Sequence, residues 1–544
     1  MFMYDRLIRI VPVFILSLLM AVSAKATHNR AGEITYKHIA GLTYEFTINT
    51  YTKTSSVAAD RPFVTISWGD GTFDDLNRNL EVFFPNDIKQ NKYTGRHTYS
   101  APFTYVISFS DPNRIENIIN ITNSVNVLFY IEDSLRILDP VIFGFNNSPE
   151  LLQPPIDFAN IGVPWIHNPN AYDIDGDSLD FQLIPPKQNE ASDVPGYLSP
   201  SLIQPGPNNN ISINRRTGEI IWDSPQRQGV YNIAILITEY RNGVKMGTLI
   251  RDMQIIVQQS PNQPPKITDL DELCVIAGDT IDITLTAKDP NTADNILFTA
   301  EGAPFQLSVN PATFVQLGTG DSVNGRFVWR TVCDHLRATD YQVVFKAQDD
   351  FDPPLADLQT FNIKVVAPPP ANLTGTLTVP TRTVTLKWDS LYVCSSNPRF
   401  RGFSIWRKAG CDEGPIDTCQ TNLAALGYTQ IGQTTIYRFT DNTLQRGSTY
   451  TYRVVANFAD LSQGGFLYNK FNSLASTAYC ASLPLDIPVI YHADVRNTDI
   501  STGEIYVEWS KPKAAVLDTL VNLPPYQYKL FRATGISGTD FTLV

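Results

Sequence analysis

The sequence predicts an all-β protein, a tandem series of β-sandwich modules in an extended array, and three observations carry that prediction. Composition is the first. The chain has 37 Pro, 31 Gly, 24 Tyr and 29 Phe, with a hydrophobic fraction of 43% and a charged fraction of only 18%, a balance that favours strands and turns over long helices. Patterning is the second: short runs of alternating apolar and polar residues, rich in aromatic and β-branched side chains, recur between Gly-, Pro- and Asn-rich breaks. Length is the third, because 544 residues are too many for one hydrophobic core and suit about four or five domains of ordinary size.

Residues 1–26 read as an export signal. Arg6 and Arg9 precede the uncharged stretch from Ile10 to Ala24, and Ala24-Lys25-Ala26 supplies the small-x-small site of a signal peptidase, so cleavage is expected before Thr27. That stretch is shorter than the ~20 residues that cross a bilayer, and no later stretch is apolar enough for a transmembrane span. Glu33 to Tyr51 alternates as a hairpin turning near Ala40-Gly41, and Val64 to Trp68 runs into Gly69-Asp70-Gly71. His97 to Phe109 and Val125 to Tyr130 read as further strands, and Asn146 to Pro155 as a linker. In the next module the acidic turn Asp173-Ile-Asp175-Gly-Asp177 precedes the strand ending at Trp222 and the run Tyr231 to Ile237, which is apolar on both faces as a central strand is. Ser260 to Pro265 closes that module.

A weaker copy follows, with Asp289, Trp329 and Tyr341 echoing Asp173, Trp222 and Tyr231 at an offset of roughly 110 residues, about one sandwich. Ala367-Pro368-Pro369-Pro370 forms the next rigid boundary. Beyond it Val384 to Trp388, Phe403 to Arg407 and Tyr450 to Ala456 read as strands, and Ile505 to Trp509 with Tyr526 to Arg532 repeat the first two. Val544 falls before counterparts of the remaining strands, so a longer natural chain is expected.

The formal charge of −12, with no basic run after the first residues, argues against nucleic acid or an anionic membrane surface as a partner. Catalytic signatures are missing. There is no HExxH, GxSxG, Gly-Lys phosphate loop or GxGxxG, and His28, His38, His97, His167, His335 and His492 show no metal-ligand spacing, so no enzyme activity is expected. The acidic turn raises a physical question. Carboxylates roughly 4 Å apart repel by about 4 kcal/mol per pair near a surface. Full solvation relieves this, and so does a hard cation that prefers oxygen ligands. Ca2+ is the cofactor that the spacing of Asp173, Asp175, Asp177 and Asp180 allows, with Asp289, Asn291 and Asp294 as a weaker second set. Six cysteines after an export signal read as disulfides, and pairing by module gives Cys274–Cys333, Cys394–Cys480 and Cys411–Cys419.

Several motifs carry a resemblance. Ser67-Trp68-Gly69-Asp70-Gly71 with His97-Thr98-Tyr99 and Tyr105-Val106 resembles the polycystic-kidney-disease (PKD) type of Ig-like domain, with a longer intervening segment that implies an insertion loop. The Asp-x-Asp-Gly-Asp turn and the Asn-x-x-Pro linker resemble cadherin-like bacterial Ig modules, and Trp388 with Tyr450 and Tyr452 resembles a fibronectin type III domain. The expected array is therefore Ig-like throughout: residues 27–150 PKD-like, 151–262 and 263–367 cadherin-like, 368–484 fibronectin type III, and 485–544 part of a second such domain.

Taken in order, Thr27-His28, Gly32-Glu33-Ile34, the Trp68 turn, Phe129 to Asp133, His167 to Ala171 and Arg251 to Ile255 resemble the large exported surface proteins of gliding-type Bacteroidota, labelled gliding-motility-associated C-terminal-domain proteins. That resemblance implies a signal-peptide route followed by type IX secretion, and a secreted or outer-membrane-attached place at the cell surface. It also implies a non-enzymatic adhesin or stalk that meets an unknown protein or glycan ligand. The alternative expectation is a carbohydrate-binding accessory region of a secreted polysaccharide-degrading protein. Trp222, Trp329, Trp388 and Trp509 stand at core spacing, which favours packing over stacking on a sugar.

Overall fold

The computed structural model describes residues 29–57, 60–112, 114–417, 419–484, 487–512, 517 and 523–544. The predicted signal, residues 1–26, lies outside them. Among the described residues strands dominate and helix is confined to single turns such as Pro140–Phe143, so the protein is all-β, built of tandem sandwich modules. The chain forms two compact units. The first runs to Val365 and includes Asp460–Asn469, and the second comprises Val366–Ala459 and Lys470–Val544.

The first unit begins with β1 (Asn29–Ala40), β2 (Thr43–Lys53), β3 (Phe63–Ser67), β4 (Phe73–Phe84), β5 (Ile88–Thr98), β6 (Thr104–Asp111) and β7 (Phe129–Arg136). The expected β1–β2 hairpin is present, with Gly41 at φ 56° in its turn. Residues expected to form an insertion loop instead pair as the long β4–β5 hairpin. The strand expected from Val125 starts only at Phe129, because Ser124–Asn126 is a 3-10 turn. There follow β8 (Glu150–Leu151), β9 (Ile156–Asn160), β10 (Trp165–His167), β11 (Ala171–Tyr172), β12 (Ser178–Ile184), β13 (Lys187–Asn189), β14 (Ser192–Asp193), β15 (Ile211–Ile213), β16 (Ile220–Trp222), β17 (Gly229–Arg241) and β18 (Val244–Gln258).

One sheet runs through the boundary expected near residue 150. Its order is β1-β2-β5-β4-β3-β6-β7-β18-β17-β12, and β18 also pairs back to β1 where Gly32 lies opposite Asp252. A Cβ on Gly32 would stand 2.6 Å from the Asn49 carbonyl oxygen of β2, so glycine is what lets β1 and β2 come this close. The cores stay separate even though the sheet is shared. Ile34, Phe46, Ile66, Trp68, Ile107 and Ile131 belong to the first core, and Trp165, Phe181, Trp222, Ile235, Leu249 and Met253 to the second. The expected linker is tied down as well: Asn146 and Ser148 are buried, and Ser148 N–H donates to the Tyr36 carbonyl at 3.0 Å.

Residues 266–366 form two four-stranded sheets. Lys266–Ile267, Thr280–Lys288, Ser322–Arg330 and Thr313–Leu317 make one; Leu273–Ile276, Ala356–Val366, Tyr341–Gln348 and Leu297–Gly302 make the other. The faint sequence echo between the two sandwiches is a packing echo too. Trp222 meets Tyr231 edge-on at 4.9 Å and Trp329 meets Tyr341 edge-on at 5.0 Å. Each tyrosine hydroxyl donates to an upstream carbonyl, that of Arg227 at 2.7 Å or His335 at 2.9 Å, a corner typical of Ig-like sandwiches.

After Val366 come a three-stranded sheet (Thr374–Thr378, Thr383–Lys387, Arg438–Asp441) and a larger one (Thr429–Thr434, Phe400–Ala409, Thr449–Leu461, Leu467–Asn472, with Tyr479–Ser482 also on Thr449–Leu461). Trp388 packs edge-on against Phe403 at 5.2 Å. Toward Val544, Val489–Asn497 pairs with Glu504–Ser510, while of the strand expected over Tyr526 to Arg532 only Phe531–Arg532 forms.

All six cysteines are bonded, but Cys411 pairs with Cys480. The expected Cys394–Cys480 and Cys411–Cys419 bonds are therefore both overturned. Sequence proximity favoured Cys419, whereas the sheet decides otherwise: Thr451 lies opposite Cys480 and its hydroxyl donates to the Gly410 carbonyl at 2.7 Å. The other bonded cysteines are Cys274 and Cys333 in the first unit and Cys394 and Cys419 in the second.

Candidate functional site

Asp173, Asp175 and Asp177 do come together, with one carboxylate oxygen of each within 4.8 Å of the others. They occupy the turn between β11 and β12, where Gly176 takes φ 83°. Asp173 and Asp177 are each only 2% exposed, so solvation does not relieve their repulsion. Arg241, at the end of β17, does. Its Nε and Nη2 donate to the two oxygens of Asp177 at 2.8 Å, its Nη1 to the Phe143 and Phe145 carbonyls at 2.8 Å, and its Nη2 to Asn146 Oδ1 at 3.0 Å. Nη2 also stands 3.3 Å from Asp175 Oδ2, and the Tyr468 ring covers the guanidinium at 5.0 Å. Such a forked, charge-assisted pair is the strongest hydrogen-bonded neutralisation a side chain offers.

One acceptor is left over. Asp173 Oδ1 takes the Asp177 N–H at 2.9 Å, but Asp173 Oδ2 is buried with no hydrogen-bond partner among the described residues. Burial, reinforced by Asp177 and Asp175, pushes the Asp173 carboxyl up to about 8. Burial raises Asp175 too, against the pull of Arg241, while the Asn147 backbone N–H and side chain donate to its carboxylate at 2.7 and 2.9 Å. Asp180, expected as a fourth ligand, does not join. It lies on β12 in a two-pronged pair with Arg215 at 2.8 and 2.7 Å.

The second set is arranged differently. Asp289 is fully buried; its Oδ1 accepts the Asn291 N–H at 2.6 Å, and its Oδ2, like Asp294 Oδ2, is buried without a partner among the described residues. Asn291 turns elsewhere, its Oδ1 accepting from Gln263 N–H at 3.0 Å. Two further residues take part. Asn262, fully buried, donates Nδ2 to Asp349 Oδ2 at 2.8 Å and keeps an unpartnered Oδ1. The Asp349 carboxyl is pushed up to about 6, chiefly by burial and with Asp289 adding to it. Burial likewise raises Asp289, and Asp294, Asp321 and Asp350 reinforce the shift. Every side-chain charge that moves Asp289 is acidic. Asn262 was visible in the sequence as part of the Pro-rich boundary, but nothing local marked its carboxamide as inward-facing.

Between the first two cores runs a polar partition. Asp133 on β7, Leu249 on β18 and Ile237 on β17 stand opposite one another, so Asp133 shares a sheet face with Glu239 and Arg251 by the two-residue alternation of strands. Asp133 and Glu239 are fully buried, and Arg251 Nε lies 3.2 Å from Glu33 Oε2. On the other face Arg114 donates to Asp252 at 2.7 Å and to Asn232 at 2.8 Å, clamping the loop after β6 onto β18. The motifs Gly32-Glu33, Phe129 to Asp133 and Arg251-Asp252 thus converge on this joint. In the first sandwich His97 stacks on Trp68 at 4.9 Å and bonds Asp70 at 2.7 Å, a structural pairing.

No protein-family model and no curated protein matches the chain. Among solved structures it is similar to domains A168–A170 of titin, at 12% identity and a TM-score of 0.19, over 62% of this chain and 97% of that one. It is similar to the GspB Siglec domain at 13% identity and a TM-score of 0.18, over 22% of this chain and 66% of that one. Protocadherin gammaB7 EC3-6, solved as a cis-dimer, gives 12% identity and a TM-score of 0.17 over 65% and 78%. At these scores the likenesses carry no argument about function, and the all-β reading rests on the sheets themselves.

Proposed function

We propose that this protein is a non-enzymatic, extracellular multidomain scaffold, an adhesin or stalk of the gliding-motility-associated surface type. Its first unit is held by buried ion pairs and, at the joint before the third sandwich, by Ca2+. The observation that carries this reading is where buried charge goes. Glu33, Asp133, Arg241, Arg251, Arg114 and Asp252 are buried at joints between modules, where truncating one partner of an ion pair leaves an uncompensated charge. Groups for catalysis need access to a substrate, and these have none. Six bonded cysteines suit an oxidising compartment, and among the described residues no helix is long and apolar enough to cross a membrane.

The calcium reading moves from the first acidic turn to the second. Asp289 Oδ2, Asp294 Oδ2 and Asn262 Oδ1 are hard oxygen donors without a partner among the described residues, the ligand type that Ca2+ prefers. The partner at the surface is a protein or glycan, met by exposed faces, since Trp222 and Trp329 are fully buried. Incubating the full chain with a glycan array, whole cells and polysaccharides tests this. Retention on glycans or cells without product release is expected; hydrolysis of a polysaccharide, or retention on neither, would overturn the proposal.

A further inference from the structure

We infer that the first acidic turn is a divalent-cation cage whose cation is built into the chain: the Arg241 guanidinium occupies the place of an ion that Asp173, Asp175 and Asp177 would otherwise take. Three observations support this, and none depends on Ca2+ at the second turn.

The first is the ligand set. The guanidinium is ringed by both oxygens of Asp177, one of Asp175, the Asn146 carboxamide oxygen and the Phe143 and Phe145 carbonyls. Carboxylates, a carboxamide and backbone carbonyls are the donors that calcium collects. Spacing is the second. One oxygen from each of the three aspartates lies within 4.8 Å of the others, and ligands on opposite sides of a calcium ion, each at about 2.4 Å, are that far apart.

The third is the acceptor that the guanidinium leaves unused. Asp173, 2% exposed, has an Oδ2 with no partner among the described residues. A planar fork committed to Asp177 cannot also bind Asp173, whereas a spherical ion coordinates all three. The repeat supplies a contrast, because Asp289, which echoes Asp173, has only acidic side chains among the charges that shift it. Arg241 thus makes the first joint independent of ion supply.

The test removes the tethered cation. The full chain carrying Arg241→Ala is titrated with Tb3+, a calcium stand-in that emits when a nearby tyrosine absorbs; Tyr468 lies over the site. The variant is expected to bind one Tb3+ more than the wild type, with the added emission lost in Arg241→Ala/Tyr468→Phe. Its Tm falls in chelator, and excess Ca2+ restores at least half of the loss. Arg241→Gln, which keeps a donor toward Asp177 but no charge, serves as the second variant and is expected to gain the same site. Equal stoichiometry in wild type and both variants would overturn the inference, as would failure of both variants to fold with Ca2+ present. Absence of any wild-type site would instead count against calcium at the second turn, since the comparison here is of the difference.

Discussion

Asp133 has both carboxylate oxygens buried without a hydrogen-bond partner among the described residues, and burial, with Glu132 beside it, holds its carboxyl well above the ordinary range. Glu239 is raised in the same way, by burial first and then by Asp173 and Asp133. A carboxyl with a higher pKa in the folded than in the unfolded chain binds more protons when folded. Its contribution is therefore full below the unfolded value, about pH 4, and is lost as pH rises through the folded value. Thermal unfolding in chelator is expected to show Tm falling from about pH 4 to pH 8. Asp133→Asn is expected to flatten that slope and raise Tm at pH 8; an unchanged slope would show that Asp133 is not the group responsible. At this scale the sequence was only partly legible. Phe129 to Asp133 stood out as a motif, but an aspartate within a strand reads as solvent-facing until the partner strands are known. Arg241 was not singled out at all, because an arginine before Asn242-Gly243 looks like an ordinary charged turn residue. The three clustered aspartates were legible; the arginine that reaches into them from the end of β17 was not.

Strands divide by whether their partners are local. The β1–β2 hairpin, the β17 core strand and the Trp388 strand followed from alternation and turn chemistry, since period-two patterning and a glycine at positive φ are both written in a few residues. The β18 pairings to β7 and β1 were not legible, because they join segments more than a hundred residues apart and no local signal specifies them. The disulfide error has the same origin: Cys411 and Cys480 are 69 residues apart in sequence and meet only once the Thr449–Leu461 strand lies between their segments. Two predictions belong here. Gly32→Ala places a Cβ against the Asn49 backbone oxygen, which has no rotamer with which to yield, so a loss of about 1–3 kcal/mol is expected, read as a lower denaturation midpoint. A midpoint within error of wild type would mean that β1 and β2 approach less closely at Gly32 than described. Cys480→Ser opens the bridge to Cys411 and, in the loop-entropy account, removes about 4 kcal/mol, measured by comparing oxidised wild type and variant in denaturant.

Over the whole molecule the two acidic turns, alike in sequence, make opposite demands on the solution. The first meets its charge internally through Arg241, whereas the second leaves Asp289, Asp294 and Asn262 with buried oxygens that have no partner among the described residues, and acidic neighbours add to the rise that burial causes at Asp289. Ligand linkage then gives a measurable consequence, because an ion that binds only the folded state at a hundred times its Kd stabilises by about 2.7 kcal/mol. Calorimetry of the full chain is expected to show the transition of the first unit moving down in Tm when excess chelator replaces millimolar Ca2+. Asp289→Asn, which keeps the shape but removes the charge, is expected to abolish that difference, while Asp180→Asn, altering a carboxylate already held by Arg215, leaves it in place. A chelator effect that survives Asp289→Asn would move the ion to another part of the chain, and no effect in the wild type would leave the second joint held by protonated carboxyls. In that case Asp349, pushed up to about 6 by its burial, makes the joint weaken as pH rises from about 4 through 6, a dependence that added Ca2+ would not change.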